Sequence, residues 1–299
     1  LKNMQIDFKK FEQTGTGFDG KLSNKDYDYS TIFGFAPPQD IKPLKRVEKI
    51  LNSPLAKKEY LVYQLHLPSC VPMHITLVNQ YYSWFNSNSA VHLSWAMPYA
   101  LAKFYPGRGT SVNEVLNLIR KHGQCQDNLF SQDTALAKGD DWVHNKNLIT
   151  KEMYENAKHW KIGKYTRLRQ LSRNSIYEAL KHTPLLAGVR VNRNWDNPVI
   201  YSPQAGMNHL TCIIDVDKNG NWIIWEGFKK DKIDIRILHK NSYIGAVYSF
   251  RDIDDKIIKS ANEAGKDALE YSSYYAKRCL EDMKNLGINP ANLYPKATE

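Results

Sequence analysis

Residues 64–75 read Gln-Leu-His-Leu-Pro-Ser-Cys-Val-Pro-Met-His-Ile, and this stretch puts a cysteine at the start of a predicted helix over 70–85. Ser69 is the predicted N-cap, and Pro72 falls in the first turn, where a proline costs no hydrogen bond. The partial positive charge at a helix N-terminus favours the thiolate, the nucleophilic form of cysteine. Cys70 is therefore a candidate nucleophile, although a buried cysteine can also begin a helix for packing alone.

Two further features lie close to Cys70. Gln64 precedes it by six residues, and a side-chain amide beside a nucleophile can donate a hydrogen bond to a developing oxyanion, together with the backbone N–H of the cysteine. His66, Cys70 and His74 are spaced by four residues, as metal ligands on one helix face would be. Pro68 interrupts any such helix before Cys70, so no metal site is predicted.

A candidate base lies far along the chain, where His209 opens a predicted strand 139 residues after Cys70. The turn at 217–220 leads to a second strand that contains Glu226. A two-residue turn would place His209 opposite residue 230, and a four-residue loop would place it opposite Glu226; both registers put Glu226 on the face of His209. A carboxylate there would fix the imidazole tautomer and stabilise the imidazolium. The alternative is a core or edge histidine whose hydrogen bonds are satisfied.

The order of these four residues resembles papain-like cysteine peptidases. Residues 109–125 are similar to the family's second helix, and 175–189 and 206–209 are similar to the segments that precede and deliver its histidine. The resemblance covers about residues 62–250 and implies a Cys-His-Glu site that needs no metal or organic cofactor. It implies these roles: nucleophile for Cys70, base for His209, orienting group for Glu226, and oxyanion donor for Gln64.

The sequence also departs from the family pattern. The residues after Cys70 read Val-Pro-Met where the family has Trp-Ala-Phe, and the family's Asn-Ser-Trp reads Glu226-Gly227-Phe228. Glu226 follows His209 by 17 residues, one more than in papain, and Trp225 stands at the papain spacing. We assign the orienting role to Glu226, because an indole cannot orient a histidine as an amide does, and the sheltering role to Phe228.

Helical patterns precede strand patterns, which is typical of an α+β fold. Besides 70–85, helices are predicted over 43–52, 90–104, 111–122 and 175–182. Gly123 ends the predicted helix 111–122. Strands are predicted over 185–191, 210–216, 222–228, 233–238 and 246–250. The predicted architecture is papain-like, with a helical part carrying Cys70, a β-rich part carrying His209, and a cleft between them.

Three segments are expected along the chain: an irregular arm over 1–40, the papain-like peptidase domain over 41–252, and a helical extension over 253–299. Apolar residues repeat through 254–286 as one stripe of a long amphipathic helix, which would pack on the domain or bind a protein partner. The chain begins at Leu1, and we expect that a leader or a neighbouring domain precedes it.

Composition excludes several classes of protein. Of the 299 residues, 42% are hydrophobic and 24% charged, as in a folded globular chain, and no apolar run approaches the roughly 20 residues of a membrane helix. The net charge of +10 favours anionic partners, but the basic residues are scattered and no RNA-binding signature accompanies them, so nucleic acid is not an expected partner. Four widely separated cysteines favour a reducing compartment or a virus particle.

The function that this reading predicts is a cysteine peptidase that cleaves peptide or isopeptide bonds through an acyl-enzyme. Its partner would be a protein or peptide substrate, and its source a bacterium or a phage. The alternative is a papain-like domain that has lost activity and serves as a structural or binding module of a larger assembly, since fold does not fix function.

Overall fold

The computed structural model describes residues 41–103, 109–169, 171–203 and 206–252, together with Tyr274, Arg278 and Glu281. The expected arm over 1–40 lies outside the described residues. Of the helix expected over 254–286, only those three residues are described, and each is helical and exposed. The division of the chain into three segments therefore stays a prediction.

Helices come first along the described part of the chain. The α-helices are α1 Arg46–Leu51, α2 Cys70–Ser87, α3 Ala96–Leu101, α4 Val112–His122, α5 Gln132–Lys138, α6 Asp140–Val143, α7 Lys151–Ala157 and α8 Arg173–His182. Short 3-10 helices lie at Pro54–Ala56, Lys58–Tyr60, Lys146–Leu148, Lys158–Trp160 and Arg193–Asp196. No helix in the described ranges combines the length and apolar character that crossing a membrane requires.

Helix α2 is the centre of the helical part. It begins at Cys70, as the sequence predicts, and its first fourteen residues, from Cys70 to Ser83, are all buried. A helix that is buried all round lies inside the protein, and α2 packs against the sheet and against α4. Helix α4 ends at Gly123, whose φ of 84° is the positive value that glycine adopts readily and other residues avoid.

Seven strands form one sheet: β1 Ile162–Arg167, β2 Leu185–Val189, β3 Val199–Ile200, β4 His209–Val216, β5 Trp222–Glu226, β6 Asp234–Leu238 and β7 Ala246–Asp252. Their order across the sheet is β1-β7-β2-β4-β5-β6-β3. Neighbours are antiparallel except β3, which pairs with β6 in parallel. The fold class is α+β, as predicted.

The hairpin of β4 and β5 has neither of the two registers that the sequence suggested. Cys212 pairs with Trp225, and a bulge shifts the register between Ile213 and Asp215. The reason is a longer turn, in which the Asp217 carboxylate accepts hydrogen bonds from the backbone N–H groups of Asn219 and Asn221, both at 2.8 Å. Near His209 the observed register differs by two residues from each predicted register, and a shift of two leaves every side chain on its original face. Glu226 therefore lies on the face of His209, as predicted.

Alternate residues of the sheet face two different apolar clusters. In β4, Leu210, Cys212 and Ile214 face the cluster that contains α2, whereas Ile213 and Val216 face a second cluster that contains α8. The sheet is thus covered on both faces, with α2 on one of them. This arrangement brings the start of α2 against the start of β4.

Candidate functional site

Cys70 lies at the start of α2 and is fully buried. The backbone N–H of Leu210 donates a hydrogen bond to its sulfur at 3.4 Å. Because Leu210 directly follows His209, the sulfur lies at the first residues of β4. Ser69 occupies the N-cap position, as predicted, but its side chain makes no capping hydrogen bond to the helix.

His209 and Glu226 are joined directly. His209 is the first residue of β4 and Glu226 the last residue of β5, and His209 Nε2 lies 2.9 Å from Glu226 Oε2. Two aromatic rings enclose the imidazole: Phe228 stacks on it at 5.5 Å between centroids, and Trp195 meets it edge-on at 5.0 Å. Phe228 thus lies where the sequence put a sheltering ring, whereas Trp195 carries no motif that would have identified it.

His74 is a third member of this cluster that the site prediction missed. It lies one turn after Cys70 on α2, and its Nδ1 is 2.9 Å from the Cys70 carbonyl oxygen. Its Nε2 lies 3.3 Å from the same Glu226 oxygen that His209 contacts, and the two imidazole rings meet edge-on at 5.3 Å. The spacing of four from Cys70 was the available signal. His66, the other histidine of that pattern, is exposed.

The carboxyl group of Glu226 is held in its ionised form. Burial by itself raises the pKa of a carboxyl group, but at Glu226 the electrostatic interactions and hydrogen bonds with His209 and His74 outweigh it. The pKa of Glu226 is therefore well below its usual range. An ionised carboxylate can orient an imidazole and can also bind a cation.

Gln64 lies beside this group but directs its amide elsewhere. Its side-chain Nε2 donates to the carbonyl oxygen of Leu67 at 3.2 Å, and its backbone N–H donates to Gly227 at 2.9 Å. Its Oε1 atom is buried and has no hydrogen-bond partner among the described residues. The oxyanion role of Gln64 thus stays a prediction, as do the catalytic roles of Cys70, His209 and Glu226.

The whole cluster is closed to solvent. Gln64, Cys70, His74, His209 and Glu226 are each at most 1% exposed. Chemistry on an external substrate would require this site to open, and the expected cleft between the two parts of the domain is not seen at these residues.

Solved structures of papain-like cysteine proteases share the fold. Xylellain, a cysteine protease from Xylella fastidiosa, matches with a TM-score of 0.60 and 14% identity over 84% of this chain and 98% of that chain. The proform of the ragweed pollen allergen Amb a 11, also a cysteine protease, matches with a TM-score of 0.55 and 14% identity over 81% of this chain and 76% of that one. At such identities the likeness establishes the papain-like fold alone.

Sequence similarity leads to a different class of protein. The family model of the class I (C) tRNA synthetase catalytic domain matches residues 230–299. The cysteine–tRNA ligase of Thermococcus kodakarensis is 51% identical over 61 residues, and that of Nitratiruptor sp. is 57% identical over 51 residues. These matches cover 20% and 17% of this chain and 13% and 11% of the relatives, so the chain spans only a small part of the relatives' length.

These matches correct the predicted function. The prediction of a cysteine peptidase, with the terms hydrolase and thiol protease, is wrong, because the relatives with substantial identity are cysteine–tRNA ligases. The alternative of an inactive module in a phage assembly gains no support from them either. The resemblance in residues 62–250 indicated a fold, whereas residues 230–299, which match the synthetase model, had been interpreted as two strands followed by an amphipathic helix.

Proposed function

We propose that this chain takes part in attaching cysteine to its tRNA. The observation that carries the proposal is the identity of 51% with a cysteine–tRNA ligase over 61 residues, together with the match of the class I synthetase model to residues 230–299. Identity at this level over such a length is far more specific than the spacing of a few polar residues, on which the peptidase prediction depended.

The distribution of charge supports tRNA as the partner. The last 47 residues hold seven Lys and Arg against eight Asp and Glu, so the surplus of positive charge in this +10 chain belongs to residues 1–252. Phosphate backbones attract such a surface, and the attraction weakens steeply with salt. We therefore assign non-specific attraction for tRNA to the papain-fold part and the ligase-related role to residues 230–299. This replaces the expectation that nucleic acid is not a partner.

A charging assay tests the proposal. The full chain is incubated with bulk tRNA, ATP and labelled cysteine, and acid-precipitable label is measured. We expect cysteine to be incorporated, and labelled serine to give none. Binding of tRNA, measured by filter retention, should weaken at least about tenfold between 50 and 200 mM salt.

Two charge variants separate a role of the ligase-related segment from general electrostatics. K256E/K259E lies in that segment, and K57E/K58E removes the same charge from exposed lysines of the papain-fold part. We expect charging to fall in the first variant and to persist in the second. Absence of cysteine incorporation by the unmodified chain, with equal binding of cysteine tRNA and an unrelated tRNA, would contradict the proposal.

A further inference from the structure

We infer that His74, His209 and Glu226 form a binding site for one divalent metal ion of the zinc type. The three side chains come from α2, β4 and β5 and converge inside the protein. Their nitrogen and oxygen atoms that could bind an ion all lie within 4.8 Å of one another. This inference is independent of the proposed part in tRNA charging.

The hydrogen bond at the other side of the His74 ring fixes its tautomer. His74 Nδ1 lies 2.9 Å from the Cys70 carbonyl oxygen, and a carbonyl oxygen can only accept, so Nδ1 carries the proton. His74 Nε2 then faces Glu226 Oε2 at 3.3 Å, and a cation held between these two buried atoms would satisfy both.

A metal ion supplies that charge in the geometry that the residues already have. Zinc binds histidine nitrogen and carboxylate oxygen at about 2.0–2.2 Å, so ligand atoms around a tetrahedral ion lie about 3.3 Å apart. The observed separations from Glu226 Oε2 are 3.3 Å to His74 Nε2 and 2.9 Å to His209 Nε2. Small shifts would admit an ion, and three protein ligands leave one position open, as in catalytic zinc sites.

Two further features fit a metal ion at this site. Metal-binding histidines generally donate their second ring N–H to a carbonyl or carboxylate, and His74 does so to Cys70. The second carboxylate oxygen, Glu226 Oε1, is buried and has no hydrogen-bond partner among the described residues. A cation at the site would satisfy this oxygen.

Metal titration of the full chain tests the site. After treatment with a chelator, the protein is titrated with Zn²⁺ in a calorimeter, and with Co²⁺ while its visible spectrum is recorded. We expect one ion per chain, and absorption bands typical of nitrogen and oxygen ligands. At free Zn²⁺ about 100 times the Kd, the Tm should rise by about 5 °C or more.

Three variants identify the ligands. His74→Ala and Glu226→Gln should each weaken Zn²⁺ binding at least about 100-fold, whereas His159→Ala, which changes an exposed histidine, should bind as the unmodified chain does. Glu226→Gln keeps the size of the side chain, and its circular dichroism reports whether it folds. The inference is overturned if the unmodified chain binds no ion and its Tm does not rise when Zn²⁺ is added. It is also overturned if the two ligand variants bind Zn²⁺ as tightly as the unmodified chain.

Discussion

At Glu226, a single carboxylate oxygen faces two imidazoles inside the protein. Glu226→Ala removes the counter-charge of a buried group, and we expect it to lower the free energy of unfolding by about 3–5 kcal/mol. Glu226→Gln should cost less, because the amide keeps the shape and one acceptor. The measurement is urea denaturation at pH 7 followed by fluorescence.

The same residue gives a pH dependence with a definite sign. Because the pKa of Glu226 is lower in the folded protein than its ordinary 4.5, its contribution is present above pH 4.5 and is lost as the pH falls below it. The stability difference between the unmodified chain and Glu226→Gln should therefore shrink on acidification. A difference that stays constant from pH 7 to pH 3 would show that the carboxylate is not stabilised by its neighbours.

Sequence reasoning reached some of these residues and missed others for a physical reason. Periodicity within single elements was enough to predict that Cys70 starts a helix. It was also enough to predict that His209 and Glu226 share one face of a hairpin. His74 faces Glu226 only because α2 crosses the start of β4 and the end of β5, and no local pattern encodes that crossing. Trp195, which encloses His209, comes from a 3-10 helix with no periodicity at all.

Among the elements, α1 depends on a carboxylate from the sheet. The bulge in β4 turns Asp215 toward α1, where its oxygens accept from the backbone N–H groups of Leu44 at 2.7 Å, Arg46 at 2.6 Å and Val47 at 3.2 Å. Asp215→Ala would leave these donors without their acceptor, and we expect a loss of roughly 2–4 kcal/mol in the free energy of unfolding.

Two further variants control for this effect. Asp215→Asn retains one side-chain oxygen and should lose about half as much. Asp231→Ala, at an exposed site, should change the free energy of unfolding by less than about 0.5 kcal/mol. If Asp215→Ala unfolded at the same urea concentration as Asp231→Ala, the carboxylate would not be what holds α1 to the sheet.

The elements that the sequence predicted well are those whose pattern is local. Helix α2 and strands β4 and β5 begin within one residue of the predicted positions. Strand β1 was missed because Ile162–Arg167 reads Ile-Gly-Lys-Tyr-Thr-Arg, without clear alternation, and becomes a strand by pairing with β7. Strand β3 has two residues, and its parallel pairing with β6 is a purely tertiary contact.

For the molecule as a whole, we expect the free energy of unfolding to decrease with acid already at pH values well above the ordinary pKa range of carboxyl groups. Burial lowers the pKa of His92 and of His144 to about 4, so both bind fewer protons in the folded than in the unfolded chain between pH 6.5 and 4. Burial acts oppositely at Asp127 and raises its pKa to about 7, which favours the folded state as the pH falls. The pKa values of His122 and His209 are also lowered, and that of Asp140 is also raised, so with four groups against two stability should fall from pH 6.5 to 4.

Replacing one of these histidines tests that balance. His144→Gln removes one site of proton uptake on unfolding, so the slope of unfolding free energy against pH should decrease by up to about 1.4 kcal/mol per pH unit in this window. Exposed His159→Gln serves as the control. Equal slopes for the two variants would contradict the assignment of acid sensitivity to half-buried His144.

The papain-like fold and the similarity to tRNA synthetases share strands β6 and β7, because the match to the synthetase model begins at residue 230. Strand β7 lies between β1 and β2, where it pairs with both. The ligase-like segment is therefore no detachable tail: a chain that ended at 229 would leave a gap inside the sheet and strip β1 of its neighbour. A truncation that keeps the seven-stranded sheet whole must therefore end after β7, inside the region of ligase similarity.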